Sequence, residues 1–262
     1  MQRLGQHFLK NTSATRQIIN KMIKAADVSK KDIVLEAGPG KGILTKALLK
    51  KAGRVIAVEK DKELVKYLKE KFKDCENLEI VEGDILKTQI SKLKSQNYKI
   101  VANIPYYITS RFLKTFLENP ALAGQPQKMV LMVQKEVGER ITAKPPHMSI
   151  LAISVQIYGQ PKIIAKVSKK HFSPQPQVDS VVVLIDHISD FPYPNEKKIF
   201  KIVKTGFSHK RKLLLNNLKQ TLNLNTECLD KYFEVCRIPK KSRAENLSLE
   251  NWQCLAEQSS LF

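Results

Sequence analysis

Short apolar runs of β type alternate with helically periodic stretches along the first half of this chain, and each run breaks off at a polar or glycine residue. Ile18, Ile19, Met22 and Ile23 recur at helical spacing within residues 12–24. Ile33-Val34-Leu35 ends at Glu36 and a glycine-rich turn, and residues 43–49 are again helically periodic. Val55-Ile56-Ala57-Val58 ends at Glu59 and is followed by a helical stretch over 64–72. Residues 78–81 end at Gly83-Asp84, residues 99–102 end at Asn103, and 129–133 form one more candidate buried strand. Apolar runs separated by helices imply βαβ crossovers and a parallel sheet covered on both faces. The expected class is therefore α/β with a Rossmann-like sheet.

The second half changes character. Residues 163–167 and 178–185 read as β segments with no long helix between them, as in an antiparallel hairpin at the sheet edge. Residues 189–195, with Pro192 and Pro194, break the pattern and place a boundary there. The expected organisation is a Rossmann-like domain over 1–190 and a small helical domain over 191–262, with helices at 199–207, 213–222 and 247–255. No apolar run approaches the length of a membrane span, and residues 1–11 lack the apolar stretch of a signal peptide. A cytoplasmic protein with no membrane partner is expected. Cys75, Cys228, Cys236 and Cys254 form no CxxC pair and no metal-ligand spacing with His. They read as small core hydrophobes in a reducing compartment, and no metal site is expected.

In a parallel sheet, ligands sit outside the carboxyl ends of the strands. The first run end is Glu36-Ala37-Gly38-Pro39-Gly40-Lys41-Gly42, where glycines let the backbone approach a ligand at a helix start. Its spacing is GxGxG, and Ile43 stands where the dinucleotide fingerprint has its third glycine, which favours S-adenosyl-L-methionine over NAD. A tight turn with no ligand is the alternative. Glu59, about 20 residues past the glycines, can accept both hydroxyls of a ribose, with Lys60 beside it; alternatively it is an acid next to a helix N-cap. Asp84 can accept a hydrogen bond from an adenine amine, or serve only as a turn residue.

The fourth run end, Asn103-Ile104-Pro105-Tyr106-Tyr107, is the most specific feature. It resembles the (D/N)PP(Y/F) motif in which amino methyltransferases hold a planar nitrogen, and the resemblance implies that the Asn oxygen and a backbone carbonyl beside the proline accept both N–H bonds of an exocyclic amine while Tyr106 stacks on its ring. Pro105 stiffens the turn and has no N–H of its own. The amine lone pair is delocalised into a purine ring. Two acceptors on its hydrogens favour a pyramidal nitrogen and stabilise positive charge as it develops. Phe172, within His171-Phe172-Ser173-Pro174, is placed to stack on the other base face, unless it is a core aromatic.

Forty-five Lys and Arg face 25 Asp and Glu, a formal net charge of +20. A surface that basic gathers polyanions through counterion release. Lys197, Lys198, Lys201 and Lys204 share one expected helix, and Lys210, Arg211 and Lys212 follow it. They form either a solvated face or RNA contacts that set register.

Taken together, GQHFL, LEAGPGKGILT, AVEKD, EGDIL, NIPYYIT and HFSPQPQVDSVVV resemble the ribosomal RNA adenine dimethyltransferases over nearly the whole chain. HKRKLLLNNLK and Arg243-Ala244-Glu245-Asn246-Leu247-Ser248 are similar to the small-subunit branch of that family rather than the macrolide-resistance branch. The resemblance implies conversion of two adjacent adenosines near the 3′ end of small-subunit ribosomal RNA to N6,N6-dimethyladenosine, within a pre-30S particle and by a monomer. It further implies that Gln6, His7, Leu9 and Gly38 lie near the methionine end of S-adenosyl-L-methionine, with Glu36, Gly40, Lys60 and Asn103 also among the cofactor-binding residues. Glu59 would hold the ribose, and Asp84 and Ile85 the cofactor adenine. Asn103, Pro105, Tyr106 and Phe172 would form the catalytic pocket.

Overall fold

The structure is a computed structural model that describes residues 7–90, 93, 97–118, 124–188, 195–222 and 226–258. Gln6 and the boundary segment 189–194 lie outside them. The chain divides into two compact units, residues 1–139 with 159–190, and residues 140–158 with 191–262.

In the first unit the elements run β1 (Phe8–Leu9), α1 (Ser13–Ala25), β2 (Ile33–Ala37), α2 (Ile43–Leu49), β3 (Arg54–Glu59), α3 (Lys62–Lys71) and β4 (Leu78–Glu82). They continue with β5 (Tyr98–Asn103), α4 (Thr109–Glu118), β6 (Lys128–Gln134) and the start of α5 (Lys135–Ile141). After the excursion into the second unit come β7 (Gln160–Val167), β8 (Phe172–Ser173) and β9 (Ser180–Asp186). Seven strands form one sheet in the order β4-β3-β2-β5-β6-β9-β7, and β1 pairs separately with β8. All neighbours are parallel except at β9, which runs against both β6 and β7. The sequence order reverses between β2 and β5, the switch point where such sheets bind ligands.

The run-and-turn pattern explains the strands. Val34 and Leu35, Val55 to Val58, Ile100 to Ala102 and Met129 to Val133 are all buried, as strands covered on both faces require. Helix α1 turns Ile18, Ile19, Met22 and Ile23 onto the sheet and is capped by the Thr12 hydroxyl, which accepts from the Thr15 N–H. Burying an aliphatic side chain as fully as Met22 stabilises by about 1.5–3 kcal/mol relative to exposure. The expected β7–β9 pair is present and antiparallel, yet β9 sits inside the sheet and only β7 forms the edge. Helix α4, not anticipated above, buries Phe112, Leu113, Phe116 and Leu117.

The second unit holds the end of α5, α6 (Ile150–Gln156), α7 (Glu196–Gly206), α8 (Leu214–Leu222), α9 (Thr226–Val235) and α10 (Leu249–Gln258). Residues 140–158 group here rather than with the sheet, which differs from an uninterrupted 1–190. The Met148 N–H donates to the Glu245 carbonyl at 2.9 Å, and the Tyr158 hydroxyl bonds the Glu196 carboxylate. Phe207 stacks on the buried Trp252 with ring centroids 5.9 Å apart.

One expectation is overturned. Cys236 and Cys254 are joined in a disulfide, with Cα atoms 5.6 Å apart. They stand at the end of α9 and within α10, and helix packing rather than any local motif brings them into bridging range. Cys75 and Cys228 stand outside that bond and are half-buried rather than core. Among the described residues no group of His, Cys, Asp and Glu is arranged to hold a metal ion, and no helix is long and apolar enough to cross a membrane.

Candidate active site

A cleft of about 800 Å³ opens over the carboxyl ends of β2, β3, β4 and β5, a size in the range of small-molecule sites. It brings together nearly every residue singled out from the sequence: His7, Leu9, Glu36, Gly38, Gly40, Glu59, Lys60, Asp84, Ile85, Asn103, Pro105, Tyr106 and Phe172. Lys210, Arg211 and Lys212 belong to the other unit and are described separately below.

The glycine turn leaves β2 and enters α2. Gly40 has φ +56°, and a Cβ built there would lie 2.9 Å from the Phe8 ring, so the backbone and that aromatic meet only through glycine. Its N–H donates to Glu59 Oε2 at 3.2 Å. Glu59 Oε1 accepts from the Lys60 and Asp61 N–H groups at 2.8 and 3.0 Å, so three backbone donors hold this buried carboxylate at the end of β3. Asp61, not Glu59, is the N-cap of α3.

Glu36 is 1% exposed, and its Oε2 has no hydrogen-bond partner among the described residues. Burial pushes its carboxyl up to about 8, opposed by the Thr45 hydroxyl and reinforced by the nearby Glu59 charge. Asp84 behaves oppositely. Burial raises it, but the Leu86 N–H and the Lys60 ammonium outweigh that and hold it below the usual carboxylate range. Lys60 Nζ lies 3.2 Å from Asp84 Oδ2, so this cation reaches across the cleft to the next strand end.

Asn103 ends β5, half-buried, and the Ile104 N–H donates to the Met132 carbonyl of β6 at 3.2 Å. Pro105 is the N-cap of a single 3₁₀ turn, Tyr106–Ile108, that leads into α4. The Tyr106 hydroxyl lies 2.8 Å from the Ser180 hydroxyl at the start of β9. Burial raises the phenol above its ordinary value against the Ser180 hydrogen bond, so the ring is neutral at physiological pH.

The fourth wall comes from two distant segments. Phe8 pairs with Ser173 and Leu9 with Phe172, and the Lys10 N–H donates to the His171 carbonyl at 2.8 Å. His7 Nδ1–H donates to the Pro174 carbonyl at 2.8 Å, which sets the imidazole tautomer. Its ring centroid stands 5.9 Å from that of Tyr106. Phe172 lines the cleft and is also 1% exposed, part of the core with Leu9. Lys41 Nζ stands 5.3 Å from the Phe8 ring centroid.

Sequence reasoning missed Ser180, Thr45 and Arg111, and gave Tyr107 no role of its own. Ser180 carries no local signal, since only the β6–β9 register, with Gln134 opposite Ser180, delivers it to Tyr106. Tyr107 closes the motif, Arg111 stands four residues beyond it, and both line the cleft.

In the second unit, Lys210, Arg211 and Lys212 are exposed in the turn between α7 and α8. Buried Asn217 holds that turn, its side-chain amide donating to the Gly206 and His209 carbonyls at 2.6 and 3.1 Å.

This donor set fits a nucleoside carrying an amino-acid arm. Glu59 and Asp84 offer acceptors for hydroxyl and amine hydrogens. The family model described as "Ribosomal RNA adenine dimethylase" matches residues 1–259. A ribosomal RNA small subunit methyltransferase A from Dehalococcoides mccartyi is 43% identical over 256 residues, 96% of this chain and 86% of its own. One so named from Clostridium botulinum is 37% identical over 97% of this chain and 92% of its own. Among solved structures, a dimethyladenosine transferase from Plasmodium falciparum superposes with TM-score 0.80 at 29% identity, over 95% of this chain and 96% of that one. The 23S rRNA methyltransferase ErmE superposes with TM-score 0.79 at 24% identity, over 96% and 98%, a likeness of fold. With its strand-end cleft and full-length match, the chain belongs to the ribosomal RNA adenine dimethylase family.

Proposed function

We propose that this protein dimethylates the N6 amines of two adjacent adenosines near the 3′ end of small-subunit ribosomal RNA, using S-adenosyl-L-methionine, during small-subunit assembly in the cytoplasm. The observation that carries the reading is the convergence of the Asn103-Pro105-Tyr106 turn with Glu59 and Asp84 in one cleft. When bound, S-adenosyl-L-methionine supplies an electrophilic methyl group on a sulfonium.

Glu59 would hold the ribose hydroxyls, its geometry fixed beforehand by three backbone donors. Asp84, kept ionised by Leu86 and Lys60, would accept from the cofactor adenine amine beside Ile85. Glu36, Gly38, Gly40, His7 and Leu9 would surround the amino-acid arm. On the substrate side, Asn103 Oδ1 and a carbonyl beside Pro105 accept the two amine hydrogens and turn the nitrogen lone pair out of the ring plane. As the nitrogen becomes positive, those acceptors stabilise it more than the ground state, which is the condition for acceleration. The Tyr106 ring offers a stacking face, locked by Ser180 and neutral throughout. Phe172 supports the opposite wall. No nucleophilic side chain is needed, and the proton leaves a cationic amine of low pKa to water.

The exposed Lys210-Arg211-Lys212 turn would contact RNA phosphates and set the register of a monomeric enzyme on its pre-30S particle. Action on large-subunit RNA draws only on the ErmE fold likeness, whereas the relatives at 37–43% identity carry the small-subunit name. The test is to map dimethylated adenosines on small-subunit RNA from cells with the protein, without it, and with Asn103→Ala. The modification should vanish in the second and fall at least a hundredfold in the third, while calorimetry shows cofactor affinity within about threefold of wild type. Unchanged modification without the protein, or full transfer by Asn103→Ala, would overturn the reading.

A further inference from the structure

Two cleft-lining side chains have no part in the chemistry above. Tyr107 is 63% exposed, although it follows the half-buried Tyr106 directly. Arg111, one helical turn later, is exposed, and its guanidinium has no ion-pair or hydrogen-bond partner among the described residues. Lys114 is exposed too, so the aromatic in the 3₁₀ turn is followed, four and seven residues on, by a guanidinium and an ammonium in the first turns of α4. The opposite face, with Phe112, Leu113 and Phe116, is buried, so the helix orients this stripe rigidly. Folding has no use for an aromatic ring left this open, and its neighbours supply charge but no apolar patch.

We propose that Tyr107 and Arg111 form a docking platform for the nucleotide next to the target adenosine, with Tyr107 stacking on its base and Arg111 binding the intervening phosphate. The idea rests on the function proposed above and adds residues to it. Two observations carry it. First, the platform starts one residue from Tyr106, so a nucleotide beside the one at Asn103 is the group within reach. Second, an exposed aromatic paired with a planar cation is the combination that holds unpaired bases and their backbone. With two adjacent adenosines as targets, the platform would hold one while the other reacts, and exchange of the two would need only a one-nucleotide shift of the strand.

The test measures methyl transfer to small subunits lacking the modification, using wild type, Tyr107→Ala, Tyr107→Phe, Arg111→Ala and, as control, the exposed Lys66→Ala on α3, outside the cleft. Tyr107→Ala and Arg111→Ala should each raise KM for the subunit at least fivefold, with kcat and cofactor affinity within twofold of wild type. Tyr107→Phe should restore KM to within twofold, because the ring and not the hydroxyl stacks. Lys66→Ala should match wild type. Tyr107→Ala and Arg111→Ala with wild-type KM would overturn the platform and leave the methyltransferase reading standing. Failure of Tyr107→Phe to rescue would also overturn it, since stacking would not be the cause. Absence of any transfer by the wild-type protein would overturn the parent reading and this one together.

Discussion

Burial sets the chemical state of Glu36 far from its free form. Its carboxyl is pushed up to about 8 in the folded chain from an ordinary value of 4.5. Folded protein therefore binds this proton more tightly than unfolded chain, and the linkage runs against high pH. The group costs nothing below about pH 4.5, costs progressively more between there and about pH 8, and its full cost is present above. Glu36→Gln removes that dependence at nearly constant shape. Thermal melts at a series of pH values should find the variant equal to wild type near pH 5 and more stable by several degrees at pH 8.5, since each unit of pKa is worth about 1.4 kcal/mol. A constant difference across that range would mean that Glu36 stays ionised in the fold. At this scale much of the site was readable beforehand. Asn103, Pro105 and Tyr106 announce themselves because an Asn and two aromatics around a proline at a strand end have few structural uses. Ser180 and Thr45 were silent, because a lone hydroxyl has no pattern and acquires meaning only through the partner that the fold delivers.

Among the elements, the glycine turn joins the cleft to α2 and carries a second constraint in Gly42. This residue has φ +74° at the N-cap of α2, and a Cβ there would come within 2.6 Å of the Phe72 ring and 2.9 Å of Leu68 on α3. Gly42→Ala must bear both a left-handed backbone and a displaced aromatic, a loss of about 1–3 kcal/mol. Denaturant titration should show that loss with an unchanged m-value, and the melting temperature should drop by several degrees. Wild-type stability would mean that Phe72 yields without cost. The β2, β3, β5 and β6 strands were predictable because each carries an apolar run with a polar stop, and β4 was predictable from its apolar Leu78, Ile80 and Val81 around Glu79. The β1–β8 pair was not, since two residues on each side give no periodicity. The motifs around His7 and Phe172 therefore looked like separate segments until the register of Leu9 with Phe172 joined them. The disulfide was hidden for a similar reason, because its cysteines stand 18 residues apart with no local signature.

For the whole molecule the charge of +20 sets the terms of encounter with RNA. Replacing Lys210, Arg211 and Lys212 together with Ala should weaken binding to small subunits and flatten its dependence on salt, by about one unit of log–log slope for each phosphate that the turn no longer neutralises. Filter binding over a range of salt concentrations measures this, and an unchanged slope would remove the turn from the RNA interface. The division of the chain was only half readable. A proline-rich break marks the second crossing between units, but residues 140–158 leave the first unit and return within what looked like one domain. Nothing local signals that excursion, because hydrogen bonds to distant Glu245 and Glu196 define it.

The reversed strand has a consequence for how this protein is made. Strand β7 leaves the ribosome before β9, yet its one partner in the sheet is β9, which also bridges it to β6. The segment bearing Phe172 lies between the two, so during synthesis it emerges with its supporting strand still unattached. The cofactor half of the cleft, drawn from β2 to β4, is already translated at that moment. The wall built by the β1–β8 pair closes only when Asp186 has cleared the exit tunnel, so a nascent chain cannot mature its cleft before almost the entire first unit exists.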